Sequence, residues 1–419
     1  MLLFDLLYII FLVVALPYWI KFLFKKEYRV LLKHRLSPAI ASSEQKRLWI
    51  HAVSVGEVRS LRYLIDQLKE TYPQKEIVLS VTTPTGFDCA RKEYPDILVI
   101  NSPFDFSFTI RRFIKKINPQ LLILNELEIW PNWVTISRRK KIPMLLINGR
   151  VSDVAFKRYK KSLLFLKYVF RHIDMFLVQA ELYKERFQHM GIPGEKISVC
   201  GNIKADEAFQ ARDYLAPDRE ILEFLGLKAD GRKIITVASS HRSDEDFIIP
   251  IINRLGKDFL FIIVPRHLTR VEEVESLLRQ HHVTYSTWSK TAAEEGEISG
   301  QAFIFDKMGY LFHILKITDI VFMGGTLEQK IGGHNLYEPA VLGKFIVGGP
   351  FYNNFPDIGR ELQEKGVYRL VNTGDDCLKA LRDWEKSNQE NICEIAIHAV
   401  SGRTGSVQCT LNEIRRFIT

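Results

Sequence analysis

From residue 38 onward the chain alternates short, β-branched apolar runs with amphipathic stretches. The runs at 48–53, 77–81, 121–124, 144–147 and 175–178 are apolar at successive positions, as in parallel strands buried on both faces. Between them, residues 58–68 and 108–117 space their apolar side chains as helices do. This alternation predicts a parallel sheet wrapped by helices. The pattern pauses over residues 206–230, which are polar, helical in character and interrupted by Pro217. It resumes with apolar runs at 233–238, 259–264, 302–305, 320–323 and 345–347. Two doubly wound, Rossmann-like α/β domains are therefore expected, over residues 25–207 and 208–419. Ligands of such sheets bind outside the carboxyl ends of the strands, so two facing domains would place a cleft between them. The chain has no low-complexity tract and no internal repeat at the sequence level.

The first segment breaks the pattern. Residues 2–24 are almost wholly apolar, interrupted by Asp5, Pro17 and Lys21. About 20 apolar residues span a bilayer, so the length suffices. No basic region precedes the run and no small-residue cleavage site follows it, which argues against a cleaved signal peptide. Lys21, Lys25, Lys26, Arg29, Lys33 and Arg35 follow, a bias that keeps the rest of the chain in the cytoplasm and against anionic headgroups. Residues 1–24 are thus expected to be a single hydrophobic anchor helix, either spanning the membrane or lying in its surface.

At 419 residues the chain exceeds one hydrophobic core. The formal charge of +9 points to anionic partners: nucleic acid, phosphorylated lipid or an acidic membrane. The absence of any helix-turn-helix, RNA-recognition or zinc-finger pattern argues against nucleic acid. The five cysteines, Cys89, Cys200, Cys377, Cys393 and Cys409, are scattered, odd in number and without a C-x-x-C pair. Neither a disulfide framework nor a zinc site is expected, and a reducing compartment fits.

Candidate chemistry collects where strands should end. In H-A-V-S-V-G-E-V-R-S (51–60), a small-residue turn leads into a helix whose first turn carries Glu57. A glutamate there balances the helix dipole, but at a strand's carboxyl end it can also serve as a base. In N-E-L-E-I-W-P-N (125–132), Glu126 and Glu128 flank a strand end beside Trp130; buried near an aromatic ring, such a carboxyl has a raised pKa. In G-N-I-K (201–204), Lys204 could stabilise a leaving phosphate, although a lone lysine is usually solvated. The second half contributes V-P-R-H (264–267), D-K-M-G (306–309) and M-G-G-T-L-E-Q-K-I-G-G-H-N-L-Y-E-P-A (323–340), where paired glycines precede His334, Asn335 and Glu338 at a helix start. Glycines and a helix N-terminus suit a phosphate, and the acid a turn later suits ribose hydroxyls. No G-x-G-x-x-G, Walker or H-E-x-x-H motif is present.

In this order, S-V-G-E, E-L-E-I-W-P-N, I-N-G-R-V-S, G-N-I-K, V-P-R-H, D-K-M-G and G-G-H-N-L-Y-E-P resemble the Kdo (3-deoxy-D-manno-octulosonic acid) transferases of lipid A assembly, over nearly the whole chain. The resemblance implies a GT-B fold of two facing Rossmann-like domains. It implies transfer of Kdo from CMP-Kdo to a tetraacyl lipid A precursor, with inversion, at the cytoplasmic side of a bacterial inner membrane. By it Glu57 is the general base, and Glu126 and Lys204 stabilise the transition state. Arg266, His267, Lys307, Met308, Gly309, Asn335, Leu336, Tyr337 and Glu338 bind CMP, and Ser240 and His241 line the same pocket. Lys307 departs from the family's small polar residue. The resemblance implies no cofactor and no metal; no D-x-D motif stands at a strand end, and local cations can carry the leaving phosphate. The implied partners are CMP-Kdo, the lipid A precursor and the anionic inner-membrane surface. Two other readings remain open: a membrane-associated GT-B enzyme acting on a UDP-sugar, and a non-enzymatic adaptor that binds acidic lipid through its basic face.

Overall fold

The computed structural model describes residues 4–6, 8–10, 14, 26–128, 130–159, 162–214, 231–293 and 300–418. The chain forms two compact units, Met1–Glu207 together with Thr404–Thr419, and Ala208–Arg403.

Among the described residues the first unit holds a seven-stranded parallel sheet: β1 (Arg47–Ala52), β2 (Ile77–Val81), β3 (Leu98–Asn101), β4 (Pro119–Asn125), β5 (Met144–Gly149), β6 (Met175–Val178) and β7 (Ile197–Val199). Their order is β3-β2-β1-β4-β5-β6-β7. The winding reverses between β1 and β4, and at such a switch point the two following loops diverge and leave a crevice. Every residue of β1 is buried, because helices cover both faces. Alternate side chains divide between two cores: Trp49 packs with Phe113 and Trp133, while Leu48, Ile50 and Ala52 pack with Leu64 and Leu68. His51 shares the Trp49 face, with Nδ1 3.0 Å from Ser80 Oγ and its ring edge-on to Trp133. Burial pushes its pKa down to about 3, so this imidazole is a neutral part of the core.

The second unit repeats the plan, again with seven parallel strands among the described residues: β8 (Lys233–Ser240), β9 (Phe259–Pro265), β10 (Tyr285–Thr287), β11 (Ala302–Ile304), β12 (Ile320–Met323), β13 (Phe345–Gly348) and β14 (Tyr368–Leu370). The order β10-β11-β9-β8-β12-β13-β14 puts its switch point between β8 and β12. Ile235, Phe261 and Phe322 pack with Ile248, Ile252 and Leu278.

All ten apolar runs of the sequence are strands. The sequence pattern passes over β3, β7, β10 and β14. Each has three or four residues, and each is a sheet edge or next to one, where the continuous apolar signal of a buried strand fades.

Two expectations are corrected. The chain's division by pattern gives residues 404–419 to the second domain, yet they lie with the first unit. Val407, Leu411 and Ile414 of the helix Ser406–Arg415 are buried in the same core as Leu64 and Leu68. Asp206 caps that helix, accepting from Gly405 N and Val407 N at 2.7 Å each. The second correction follows from the first: Cys200, just after β7, forms a disulfide with Cys409 on this helix, across a sequence separation of 209. Spacing along the chain could not reveal a pair created by the return of the C-terminus.

Most of the proposed anchor at 1–24, and residues 215–230 of the join, lie outside the described residues. Of the anchor, residues 4–6, 8–10 and 14 are helical. Asp5 Oδ1 accepts from Ser107 N at 2.8 Å and from Asn132 Nδ2 at 3.0 Å, and Tyr8 donates to Asp105 at 2.9 Å. The acid in this apolar segment is therefore satisfied by protein groups. No helix among the described residues is long and apolar enough to cross a membrane.

Candidate functional site

In the first unit the candidate residues follow four strand ends: Glu57 after β1, Glu126 after β4, Arg150 after β5 and Lys204 after β7. The helix Val55–Ser60 begins at Ser54, whose backbone is extended and whose side chain does not cap the helix. The Ser54 hydroxyl donates instead to Glu57 Oε1 at 3.3 Å, and Glu57 Oε2 accepts from Val53 N at 3.0 Å. Neither half of a capping box forms: the glutamate reaches past the cap to the N–H of Val53, and the serine turns to the glutamate. Glu57 sits in the first turn of the helix, and that role does not exhaust the geometry. Burial pushes Glu57 up to about 7, the negative charges of Glu126 and Glu128 add to the rise, and the Val53 N–H and Lys204 oppose it.

Glu126 is the first residue past β4 and adopts a left-handed backbone, φ 59°, with its N–H bonded to Ile147 O at 2.9 Å. A non-glycine residue in this region at a strand end turns the chain out of the sheet sharply. Its carboxylate meets Lys204 Nζ at 3.2 Å and Arg150 Nε at 3.4 Å. Burial alone would raise its pKa; the two cations outweigh burial and hold it below the ordinary carboxylate range. Glu128 is raised by burial and by Glu126. The sequence reading names Glu57, Glu126 and Lys204, and the structure gathers them into one electrostatic group. It misses Arg150, whose position inside I-N-G-R-V-S was the available signal. It also misses Asn125, the fully buried last residue of β4, whose Nδ2 lies 3.5 Å from Glu57 Oε2.

In the second unit the loops after β8, β9 and β12 converge. The Asp244 carboxylate accepts from His241 N at 2.9 Å and Gly325 N at 2.8 Å, tying the loops on the two sides of the switch point together. Gly324 allows their close approach, since a Cβ there would lie 2.4 Å from Ser239 O and 2.7 Å from Ala238 O. Across the switch point the His241 and His334 rings lie edge to edge with their planes 6° apart, centroids 5.1 Å apart and Nε2 atoms 2.8 Å apart. One ring must donate and the other accept, so one proton lies between them. Burial lowers both pKa values, that of His334 to about 3, and the neighbouring His267 and Arg266 lower them further. Arg266 N bonds Ser240 O at 3.0 Å, and the His267 ring lies edge-on to His241 at 6.1 Å.

Asn335 Oδ1 accepts from Tyr337 N and its Nδ2 donates to Glu338 at 3.0 Å, fixing the start of the helix Tyr337–Val341. Leu336 and Tyr337 are buried at this helix start. Lys307, Met308 and Gly309 follow β11, the neighbour of β9 on the side away from β8. Met308 is exposed, Gly309 has φ 97°, and the Lys307 ammonium sits 4.4 Å from the Tyr310 ring centroid and 5.7 Å from that of Trp288. The two rings hold this unexpected lysine by cation–π attraction. Together these loops present Arg266, two histidines and a helix start, a set suited to a phosphate and a nucleoside.

Residues 30–207 match the family described as 3-deoxy-D-manno-octulosonic-acid transferase (kdotransferase). A bifunctional glycosyltransferase/methyltransferase of Fusobacterium nucleatum subsp. nucleatum is 33% identical over 374 residues, 88% of this chain. The aligned part is 58% of that protein, so the chain spans less than two thirds of this relative. A 3-deoxy-D-manno-octulosonic acid transferase of Chlamydia pneumoniae is 32% identical over 371 residues, covering 87% of this chain and 84% of that protein. Among solved structures, the UDP-GlcNAc 2-epimerase of Neisseria meningitidis bound to UDP-GlcNAc overlays with a TM-score of 0.64 at 13% identity, covering 89% of this chain and 100% of the other. At that identity the likeness shows the fold alone, which is GT-B.

Proposed function

The chain belongs to the Kdo transferase family, and from that premise we propose that it moves Kdo from CMP-Kdo onto a tetraacyl lipid A precursor, with inversion and release of CMP. The observation that carries this reading is Glu57: a carboxyl at a strand end with its pKa brought to about 7. A base is most useful when its pKa lies near the working pH, and an inverting transfer needs one base on the acceptor side and no enzyme nucleophile.

Glu57 takes the proton from the acceptor's sugar hydroxyl. The acceptor oxygen bonds to the anomeric carbon of Kdo as the bond from that carbon to the CMP phosphate oxygen breaks. The electron pair leaves with the phosphate. Lys204 and Arg150 meet at the Glu126 carboxylate, and cations at this strand-end group stabilise anionic groups of the donor. Arg266, His267, Lys307, Met308, Gly309, Asn335, Leu336, Tyr337 and Glu338, with Ser240 and His241, form the CMP site. The basic clusters at Arg111, Arg112, Lys115, Lys116 and 138–141, with the apolar N-terminal segment, hold the first unit on an anionic membrane surface at the cytoplasmic side of the inner membrane.

The test is transfer of Kdo from CMP-Kdo to the tetraacyl precursor by wild type and Glu57→Gln. We expect an active wild type, and a variant that binds CMP normally while turnover falls by about 10²–10⁴. Equal transfer by the variant would return Glu57 to a helix-start role. A folded, membrane-reconstituted wild type that binds UDP-sugars but neither CMP nor CMP-Kdo would replace the donor assignment.

A further inference from the structure

Asn125 stands beside the base and takes no part in the chemistry described so far. It is the last residue of β4 and has no solvent exposure. Its backbone lies in the sheet, next to Ile147 of β5, so its position does not depend on a mobile loop. Its Nδ2 lies 3.5 Å from Glu57 Oε2, the oxygen that also accepts from Val53 N. Its Oδ1 is buried without a hydrogen-bond partner among the described residues. A buried amide left half-satisfied costs free energy, and such a cost is commonly retained where a ligand or a function uses the group.

We propose that Asn125 is a positioning residue for Glu57: its amide N–H and the Val53 N–H hold Oε2, so that Oε1, met by the Ser54 hydroxyl at 3.3 Å, is the oxygen that receives the acceptor's proton. The inference rests on Glu57 being the base. Two neutral donors on one oxygen fix the carboxylate's rotation and favour its charged form without introducing a cation. This matters because, apart from the Ser54 hydroxyl on Oε1, the side chains that act on Glu57 are charged. Glu126 and Glu128 disfavour its ionisation, Lys204 favours it, and Arg150 acts on it through Glu126. A neutral donor offsets the two acids, whereas a further cation here would form an ion pair with the base and reduce its basicity.

The experiment is the pH dependence of kcat/KM for Kdo transfer by the full chain in mixed micelles of the lipid acceptor. Wild type, Glu57→Gln, Asn125→Ala and Asn125→Asp are compared, with CMP binding and thermal unfolding measured for each. Loss of a donor to the carboxylate raises the base's pKa. The acidic limb of Asn125→Ala should therefore move up by about half a unit to one unit. Asn125→Asp keeps the volume but replaces the donor with a like charge, and should move the limb further up. CMP binding should stay at the wild-type value in both. An acidic limb that stays in place or moves down in both variants overturns the proposal, even if kcat falls, because a packing defect lowers activity without moving a titration. Full activity in Glu57→Gln is a separate failure that removes the base, and with it any need to position one.

Discussion

Glu57 and Glu126 stand past the ends of the neighbouring strands β1 and β4, and their surroundings drive their ionisation apart. Burial dominates at Glu57, whose carboxylate forms no ion pair among the described residues, and its pKa rises to about 7. At Glu126 the Lys204 ammonium and Arg150 guanidinium overcome burial and keep the group charged. Two carboxyls of the same chemistry thus ionise differently, one, the proposed base, near neutrality and the other as a fixed anion between two cations.

The coupling between them fixes two opposite shifts in the pH profile. Glu126→Gln removes a negative charge that raises Glu57, so the acidic limb of kcat/KM should move down. Lys204→Met removes a positive charge that lowers Glu57, so the limb should move up. Each shift should be about half a unit, and both variants should also lose turnover. Limbs that move in the same direction would contradict the arrangement.

Glu57 also carries a stability signature. Its folded-state pKa lies above the unfolded value, so the native state is favoured by holding the proton. That contribution is complete below about pH 4.5, fades as pH rises, and is gone above about pH 7. Glu57→Gln keeps a neutral side chain at every pH. Relative to the variant, wild type should lose about 2 kcal/mol between these limits. Urea unfolding at pH 5 and pH 8 measures the difference; a pH-independent gap would mean that Glu57 titrates as an ordinary carboxyl.

Gly324 is a geometric requirement. Its Cβ would meet two backbone carbonyls at 2.4 and 2.7 Å, and neither can move without disturbing the end of β8. Gly324→Ala should destabilise the protein by about 2–4 kcal/mol and weaken CMP binding, read from a denaturant midpoint and a binding isotherm. Gly366→Ala is a useful contrast: its Cβ would meet nothing within 4 Å, although its φ of 78° still strains an alanine.

The disulfide predicts a thiol count. Of five cysteines, Cys89, Cys377 and Cys393 are free, so the unfolded, unreduced protein should titrate three thiols and the reduced protein five. Cys409→Ser should lower stability by about 2–4 kcal/mol, because the unfolded chain loses its cross-link. Five thiols before reduction would show that the pair is open in solution.

The ten strands inside the two sheets, the two-unit plan and most strand-end motifs were legible in the sequence because each depends on local pattern. An apolar run marks a doubly covered strand, and a glycine turn with an acid marks the loop that follows it. Glu57, Glu126 and Lys204 could be named for this reason, and the order of motifs assigned the family. The sequence could not show that Arg150 shares the Glu126 carboxylate, that Asn125 reaches Glu57, or that His241 and His334 share a hydrogen bond. Those relationships depend on strand order: Asn125 meets Glu57 and His241 meets His334 because the winding reverses between β1 and β4 and between β8 and β12, and Arg150 reaches Glu126 because β5 lies beside β4. The pairing of Cys200 with Cys409 and the return of residues 404–419 to the first unit are also set by tertiary packing. Pattern determines which segments become strands and helices, since each residue's burial is written locally. Which strand ends become neighbours is decided only by global packing, which sets both the contacts of the site and the pKa of its base.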